Sequence, residues 1–179
     1  MAGRDVPVTG CVVWITGLPA SGKTTLANAV AAAIRRSGAA ALVLDGDEVR
    51  AAMHPPLGYG DEDRDQFYRT LSELAALAAS QGLIVLVAAT ANRRVHRDWA
   101  RELAPAFVEV LVDVPAEECA RRDQKGLYAM AREGRAPTLP GPGAKYEPPR
   151  KPDVVARGGQ DPQAVEAVIR AIASRRAES

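Results

Sequence analysis

The sequence is poor in cysteine, in aromatic residues and in long apolar runs. Its two cysteines, Cys11 and Cys119, lie far apart and without metal-ligand spacing, so we expect buried thiols in a reducing compartment. Aromatic residues make up 4% of the chain against an apolar fraction of 47%. The core must therefore consist mostly of aliphatic side chains, as in buried parallel sheets and their covering helices.

The start of the chain lacks the apolar core of a signal peptide, and no apolar stretch approaches the ~18 residues of a membrane span. An excess of charge is also missing, since 23 basic and 22 acidic residues give a net charge of +1. Binding to a nucleic-acid backbone calls for a marked positive excess. We therefore expect a cytoplasmic protein that binds neither nucleic acid nor a membrane.

Apolar runs of strand length alternate with segments of helical periodicity along the chain. The predicted strands lie at about 11–16, 41–44, 83–88, 107–112 and 154–155. This alternation favours an α/β fold of the P-loop NTPase type, with a doubly wound parallel sheet of about five strands flanked by helices. We expect a disordered lead at 1–10 and one domain at 11–179, with a lid rich in proline and glycine at about 134–152.

The strongest motif joins the first strand to the first helix and reads GLPASGKT. It predicts a phosphate-binding loop, because successive backbone N–H groups must wrap around phosphates without obstruction by Cβ atoms. Lys23 supplies positive charge, and Thr24 can offer its hydroxyl to Mg²⁺. The helix directs the positive end of its dipole at the same place. The predicted ATP-binding residues are Gly17, Leu18, Pro19, Ala20, Ser21, Gly22, Lys23, Thr24 and Thr25.

Two acidic residues, Asp45 and Asp47, follow the second predicted strand. Ligands bind at the carboxyl ends of strands in a doubly wound sheet, which places Asp45 beside the phosphate loop. One carboxylate can accept the proton of an attacking hydroxyl or hold Mg²⁺, and the other can cap the next helix, for which Asp47 is the predicted N-cap. Arg50 and Arg64, on the two helices that follow, are suited to grip an anionic acceptor.

Three further features of the sequence bear on the class of nucleotide-binding protein and on its site. The third strand ends without the acidic residue that many ATPases and GTPases place there, and an Asn-Lys-x-Asp element is missing, so neither a motor nor a guanine-specific switch is favoured. His54 and His96 are isolated, and surface or loop positions are expected for both. The cations between Arg121 and Tyr128 precede the lid, which can close over phosphates and expel water.

These segments together resemble the adenylylsulfate (APS) kinases, which transfer the γ-phosphate of ATP to the 3′-hydroxyl of adenosine 5′-phosphosulfate and so make PAPS. The resemblance covers nearly the whole chain from about Val12. It rests on GLPASGKTT from Gly17, LDGDEVR from Leu44, LGY with DR between Leu57 and Arg64, and RDQKGLY from Arg122.

The resemblance implies roles for individual residues. Lys23 and Asp45 become the catalytic pair, with Asp45 as base or Mg²⁺ organiser. Lys125 would reach the charged end of the acceptor, Tyr59 would stack on its base, and Arg122 would flank the adenine of ATP. The implied acceptor-binding positions are Asp47, Arg50, Tyr59, Arg64, Phe67, Ala91, Asn92, Lys125 and Leu139. The resemblance also implies a homodimer.

The sequence departs from the family pattern on the acceptor side. Phe67 stands where the family has an asparagine, the stretch 89–92 replaces Phe-Ile-Ser-Pro, and Leu139 replaces an aromatic clamp of the lid. The sequence therefore predicts an ATP-dependent APS kinase that uses Mg²⁺. The alternative is a related kinase for a different nucleotide-like or anionic acceptor in a specialised pathway. A third possibility, a catalytically silent ATP-binding module, is disfavoured by the intact phosphate loop.

Overall fold

The computed structural model of the protein describes residues 9–178, so residues 1–8 and 179 lie outside the described part. Most of the predicted lead falls there, but its last two residues contact the folded chain. Thr9 O accepts a 2.6 Å hydrogen bond from an arginine of the last helix. Gly10 is buried so closely that a Cβ at this position would lie 2.0 Å from a carbonyl oxygen. The packed chain therefore includes these two residues.

Five parallel strands form one sheet, which confirms the predicted doubly wound fold. In chain order they are β1 (Cys11–Thr16), β2 (Ala41–Asp45), β3 (Ile84–Ala88), β4 (Phe107–Val112) and β5 (Val154–Ala156). Side by side the order is β2-β3-β1-β4-β5, with β1 in the centre and buried along its whole length. Ligands of such sheets bind at the carboxyl ends, where the strand order reverses beside the central strand.

The register brings four strand ends to one edge of the sheet. Asp45 pairs with Ala88, Ala88 pairs with Ile15, and Thr16 pairs with Leu111. The residues that follow β1, β2 and β3 therefore emerge side by side. This edge holds the phosphate loop, the acidic pair and the stretch 89–92.

Seven helices cover the sheet in the described part of the chain. They are α1 (Lys23–Arg36), α2 (Gly46–Ala52), α3 (Asp61–Ser80), α4 (Arg94–Leu103), α5 (Ala116–Arg122), α6 (Leu127–Arg132) and α7 (Pro162–Ala177). Arg50 lies on α2 and Arg64 on α3, the two helices that follow the second strand, as the sequence predicts.

The core has one layer on each face of the sheet. Alternate residues of β1 point to opposite faces, so Val13 and Ile15 pack with α1 and α7, whereas Val12 and Trp14 pack with α3 and α4. The first layer is almost wholly aliphatic, as the composition predicts. The second layer holds most of the buried aromatic rings, namely Trp14, Phe67, Tyr68 and Phe107.

Both cysteines are free thiols with buried side chains, in agreement with the sequence prediction. Burial raises the pKa of the Cys11 thiol to about 12, so this thiol stays protonated at neutral pH. Between residues 9 and 178, none of the helices has the length and apolar character needed to span a bilayer.

Candidate active site

The phosphate loop follows β1 and ends where α1 begins. Gly22 adopts a left-handed conformation with φ of 100°, and a Cβ there would lie 2.6 Å from Gly159 N. A side chain is therefore excluded at Gly22 by backbone conformation and by contact. The loop is closed by a 3.2 Å hydrogen bond from Ser21 N to Leu18 O. Its position at the start of α1 gives it the geometry of an anion-binding site.

Lys23 lies within this loop. Its ammonium donates hydrogen bonds to Gly17 O (3.2 Å) and Leu18 O (2.8 Å). Desolvation lowers the pKa of Lys23 to about 8, although Asp47 and Asp45 oppose the shift. An incoming polyphosphate would therefore bind best while this ammonium is protonated.

Asp45 joins the loop to the second strand. Thr24 Oγ1 donates a 2.5 Å hydrogen bond to Asp45 Oδ2, while Asp45 Oδ1 accepts bonds from Asp47 N (2.9 Å) and Glu48 N (3.2 Å). Asp45 is therefore the N-cap of α2, and the prediction that Asp47 caps this helix is wrong. The reason is backbone geometry: α2 begins directly at Gly46, so the last strand residue, with extended φ and ψ of −76° and 128°, takes the capping position.

Asp47 instead pairs across the site with Lys125. Lys125 Nζ lies 2.6 Å from Asp47 Oδ2, and this hydrogen bond raises the pKa of Lys125. Both side chains are well exposed, so the pair contributes at most about 1 kcal/mol to stability. It does hold two predicted acceptor-binding residues together at the mouth of the site.

Two buried arginines and two aromatic rings form a second cluster beside Asp45. The Arg50 guanidinium lies between the rings of Phe67 and Tyr59, 3.9 Å from the first centroid and 4.7 Å from the second. Its Nη1 donates to Gly58 O at 2.7 Å. Phe67 is only 2% exposed, whereas Tyr59 is 56% exposed. Phe67 thus packs against Arg50 on its buried side, and the ring of Tyr59 remains accessible to solvent.

Arg64 connects this cluster to the predicted lid. Its Nε donates to Tyr59 O (2.9 Å) and its Nη2 to Thr138 O (2.7 Å). Of the described residues, those at 134–152 form neither helix nor strand, as predicted, and an isolated bridge joins Pro140 to Ala144. Leu139 is half-buried against the first core layer. The segment at 134–152, the predicted lid, therefore packs against Arg64 and the first core layer.

The lid also touches the phosphate loop. A Cβ added at Gly141 would lie 3.1 Å from Leu18 Cδ2, so the lid backbone passes close over the loop. At the far end of the lid, the hydroxyl of Tyr146 lies 3.1 Å from that of Thr16, the last residue of β1. The segment is thus held at Leu18 of the phosphate loop and at Thr16, directly before that loop.

Ala91 and Asn92 follow β3 and are both buried. The Ala91 N–H donates a 3.0 Å hydrogen bond to the Tyr68 hydroxyl, and Asn92 O accepts a 2.8 Å bond from Glu147 N. The side chains of Ala91 and Asn92 therefore do not extend to the surface, and their backbone groups are fixed by α3 and by the segment at 134–152.

A glycine pair after β5, Gly158 and Gly159, completes the loop region and is not among the residues that the sequence predicts. A Cβ at Gly159 would lie 2.7 Å from both Gly22 O and Thr25 Cβ, so the two loops are in direct contact. The Arg122 guanidinium lies nearby, 3.7 Å from the position of a Cβ at Gly158, and is paired with Glu118. The available signal was a Gly-Gly pair just after the last strand, at the ligand-binding edge.

The expectation for His96 is wrong, since this residue is fully buried between α3 and α4. Its Nε2 lies 2.8 Å from Asp65 Oδ1, and its ring stacks on Tyr68 at a centroid distance of 4.4 Å. Burial lowers the pKa of the imidazole, which favours the neutral form. An isolated histidine in the sequence gives no signal of such a partner. His54 is exposed in a loop, as expected.

Comparison with known proteins gives one consistent result. Residues 9–157 match the family model of adenylylsulphate kinase. An adenylyl-sulfate kinase of Synechococcus sp. is 40% identical over 168 residues, which cover 93% of this chain and 96% of that protein. One from Paraburkholderia xenovorans is 42% identical over 147 residues, which cover 82% of each chain.

A solved structure gives the same result. The APS kinase CysC of Mycobacterium tuberculosis, in complex with AMPPNP and APS, matches with a TM-score of 0.84 and 36% identity. The match covers 97% of this chain and 100% of that chain. The similarity therefore extends over the phosphate loop, the acidic pair, the arginine cluster and the lid.

Proposed function

The chain belongs to the adenylylsulfate kinase family, and we propose that it transfers the γ-phosphate of ATP to the 3′-hydroxyl of APS, giving PAPS and ADP. The observation that carries this proposal is the position of Asp45. Its carboxylate is bonded to Thr24 of the phosphate loop and caps the helix that carries Arg50. One carboxylate thus connects a polyphosphate-binding loop to an anion-binding cluster.

On the donor side, the loop N–H groups and Lys23 bind the phosphates of ATP. Lys23 exchanges its bonds to Gly17 O and Leu18 O for phosphate oxygens. Arg122 and the Gly158–Gly159 turn flank the adenine, since Gly159 contacts the phosphate loop at Gly22 and Thr25 and the Arg122 guanidinium lies beside Gly158. Phosphoryl transfer needs little covalent help from the protein, so positioning and charge neutralisation carry most of the catalysis.

On the acceptor side, Arg50 and Arg64 bind the phosphosulfate group of APS, and Lys125 also reaches this charged end of the acceptor. The exposed ring of Tyr59 stacks on the adenine base of APS. Asp45 orients the 3′-hydroxyl and accepts its proton. Closing of the lid over both substrates excludes water, which would otherwise compete as the acceptor.

The donor set beside the loop fits Mg²⁺. Thr24 and Asp45 present a hydroxyl and a carboxylate oxygen 2.5 Å apart, and Mg²⁺ prefers oxygen ligands from one or two carboxylates together with substrate phosphates. Between residues 9 and 178, no group of three or more His, Cys, Asp or Glu could hold a metal by itself. When bound, the ion neutralises charge on the β- and γ-phosphates. Thr24 and Asp45 would hold it.

Two observations favour a different acceptor as the second candidate. Phe67 packs against Arg50, and Leu139 stands in the predicted lid where the resemblance implies an aromatic residue. A pocket rebuilt in this way can select another nucleotide-like anion.

The predicted homodimer stays a prediction, and sedimentation analysis of the purified chain would test it.

The test is a coupled ADP-release assay with MgATP and a panel of acceptors: APS, AMP, CMP derivatives and none. APS should raise the rate far above that of the control without acceptor, and the product should carry a 3′-phosphate. A rate with APS equal to that control would overturn the proposed acceptor. Activity with another member of the panel would then support the second candidate.

A further inference from the structure

Ala91 has an unusual backbone conformation at the edge of the site. Its φ is +42°, in the left-handed region that residues with a Cβ rarely adopt, and it is fully buried. Such a conformation persists only when its surroundings hold it, and it is found preferentially at functional sites. The question is therefore what holds Ala91, and for which purpose.

Two buried side chains bind the two polar groups of Ala91. The Tyr68 hydroxyl accepts the hydrogen bond from the Ala91 N–H at 3.0 Å. Arg97 Nη1 donates to Ala91 O, and Arg97 Nε is paired with Glu109 Oε1 at 2.7 Å. Tyr68 comes from α3 and Arg97 from α4. The turn after β3 is thus fixed from both helices of this face.

Tyr68 is itself held in a stack of rings. One face lies on His96, which is bonded to Asp65. It also makes an edge-to-face contact with Phe67 at 5.1 Å and a tilted contact with Trp14 at 6.3 Å, and the ring centroid of Phe67 lies 3.9 Å from the Arg50 guanidinium. A displacement of Tyr68 would therefore reach Arg50 through Phe67 and Ala91 through the hydroxyl.

The position of Ala91 just after β3 places it near Asp45 and the start of the phosphate loop. Ala88 pairs with Asp45 in the sheet, and Thr90 O accepts a 2.5 Å hydrogen bond from the hydroxyl of Thr16. The stretch 89–92 thus continues β3 between the strand that carries Asp45 and the strand that leads into the phosphate loop. Its backbone forms one wall of the edge where the acceptor is proposed to bind.

We propose that Tyr68 is a positioning residue for the acceptor site. Its hydroxyl holds the turn at Ala91, and its ring holds Phe67 beneath Arg50, so one buried side chain sets two parts of the acceptor pocket. This inference rests on the proposed function, because it takes the acceptor to bind between Arg50 and the stretch 89–92. The contacts of Tyr68, Phe67 and Ala91 named above involve no residue of the phosphate loop at 17–25.

The test compares Tyr68→Phe with Ser72→Ala. The first variant keeps the ring and removes only the hydroxyl that binds Ala91. The second removes a hydroxyl from the same buried face of α3, where Ser72 Oγ donates to Tyr68 O at 2.7 Å. Tyr68→Phe should raise the KM for APS roughly five-fold, as expected for the loss of one ordinary hydrogen bond, and leave the KM for ATP unchanged. Ser72→Ala should leave both KM values unchanged.

A rescue variant separates positioning from general damage. Glycine adopts positive φ without strain, so Ala91→Gly in the Tyr68→Phe background should restore much of the affinity for APS. Equal rises in the KM for APS and for ATP, or an unchanged KM for APS, would overturn the proposal. So would a double variant that binds APS more weakly than Tyr68→Phe alone.

Amide hydrogen exchange without substrates makes the two proposals separable. Tyr68→Phe should speed exchange of the Ala91 amide about ten-fold or more relative to wild type, whereas Ser72→Ala should not. If the wild-type chain shows no turnover that depends on APS, the proposed function fails. The exchange rate of the Ala91 amide in Tyr68→Phe still tests whether Tyr68 holds the turn at Ala91. If the wild type is active but Tyr68→Phe leaves exchange and the KM for APS unaltered, only the positioning role fails.

Discussion

Thr24 and Asp45 are joined by a 2.5 Å hydrogen bond between hydroxyl and carboxylate at the carboxyl edge of the sheet. The same carboxylate caps α2 through its other oxygen. Asp45 is therefore fixed from two sides before any substrate binds. A carboxylate held in this way costs little reorganisation when it orients a hydroxyl, which is the kind of preorganisation that catalysis requires.

Asp45→Asn should cut turnover by orders of magnitude and leave ATP affinity within a few-fold. Asparagine is also a good N-cap, so its amide oxygen can keep the bonds to Asp47 N and Glu48 N, and the fold should keep its stability. Steady-state kinetics and thermal unfolding measure the two effects. Asp45→Ala is the control, since it should lose about 1 kcal/mol of stability as well as activity. A near-normal rate for Asp45→Asn would remove this carboxylate from the mechanism.

The sequence predicted the sheet and the phosphate loop because their signals are local. The strands are continuous apolar runs. In the phosphate loop, each residue type meets a steric or electrostatic requirement of phosphate binding, so the motif can be recognised from residue types and spacing. The N-cap of α2 was misassigned between Asp45 and Asp47 because both acidic residues are suitable caps. Only the observed start of the helix at Gly46 decides between them.

The parts of the site whose geometry depends on distant segments of the chain could be predicted less well. His96 was expected near the surface, yet it is buried against Tyr68 of another helix. The contact of Gly159 with Gly22 joins residues that are far apart in sequence. Such pairings arise from tertiary packing, and neither residue type nor spacing encodes them locally.

The affinity for ATP should depend on pH through Lys23. Its pKa of about 8 means that the free protein loses this positive charge as the pH rises above that value, while bound phosphate favours the protonated form. Binding of a non-hydrolysable ATP analogue should therefore weaken with rising pH, approaching about ten-fold per unit above the pKa. Calorimetric titrations between about pH 7 and 9 measure this. Lys23→Arg should flatten the profile, and a flat wild-type profile would contradict the assignment.

The contact between the two glycine loops predicts a loss of ATP affinity in Gly159→Ala. The added Cβ would lie 2.7 Å from Gly22 O and from Thr25 Cβ, so the phosphate loop must shift to make room. ATP should bind at least about ten-fold more weakly, as expected for a displaced binding backbone. Gly38→Ala is the matched control, because a Cβ there meets nothing within 4 Å although φ is +85°. It should lose some stability and keep its ATP affinity, whereas equal losses in both variants would contradict the contact.

The folded position of the lid predicts how substrates change its susceptibility to proteolysis. Arg135 and Lys145 lie on exposed parts of the segment and are sites for trypsin. ADP together with APS should slow cleavage at both, because each ligand occupies one side of the cleft that the lid covers. Cleavage at Arg175 in the last helix should not change and serves as the internal control.

Arg64→Lys should have the opposite effect on the lid. Lysine cannot keep the two bonds to Tyr59 O and Thr138 O at once, since it lacks the planar fork of donors. The free variant should therefore be cut faster at Arg135 and Lys145 than the wild type, and addition of both ligands should restore less of the protection. If both chains are cut at the same rate in every condition, Arg64 does not hold the lid, and the segment at 134–152 remains in place through its other contacts, among them those with Leu18, Thr16 and Asn92.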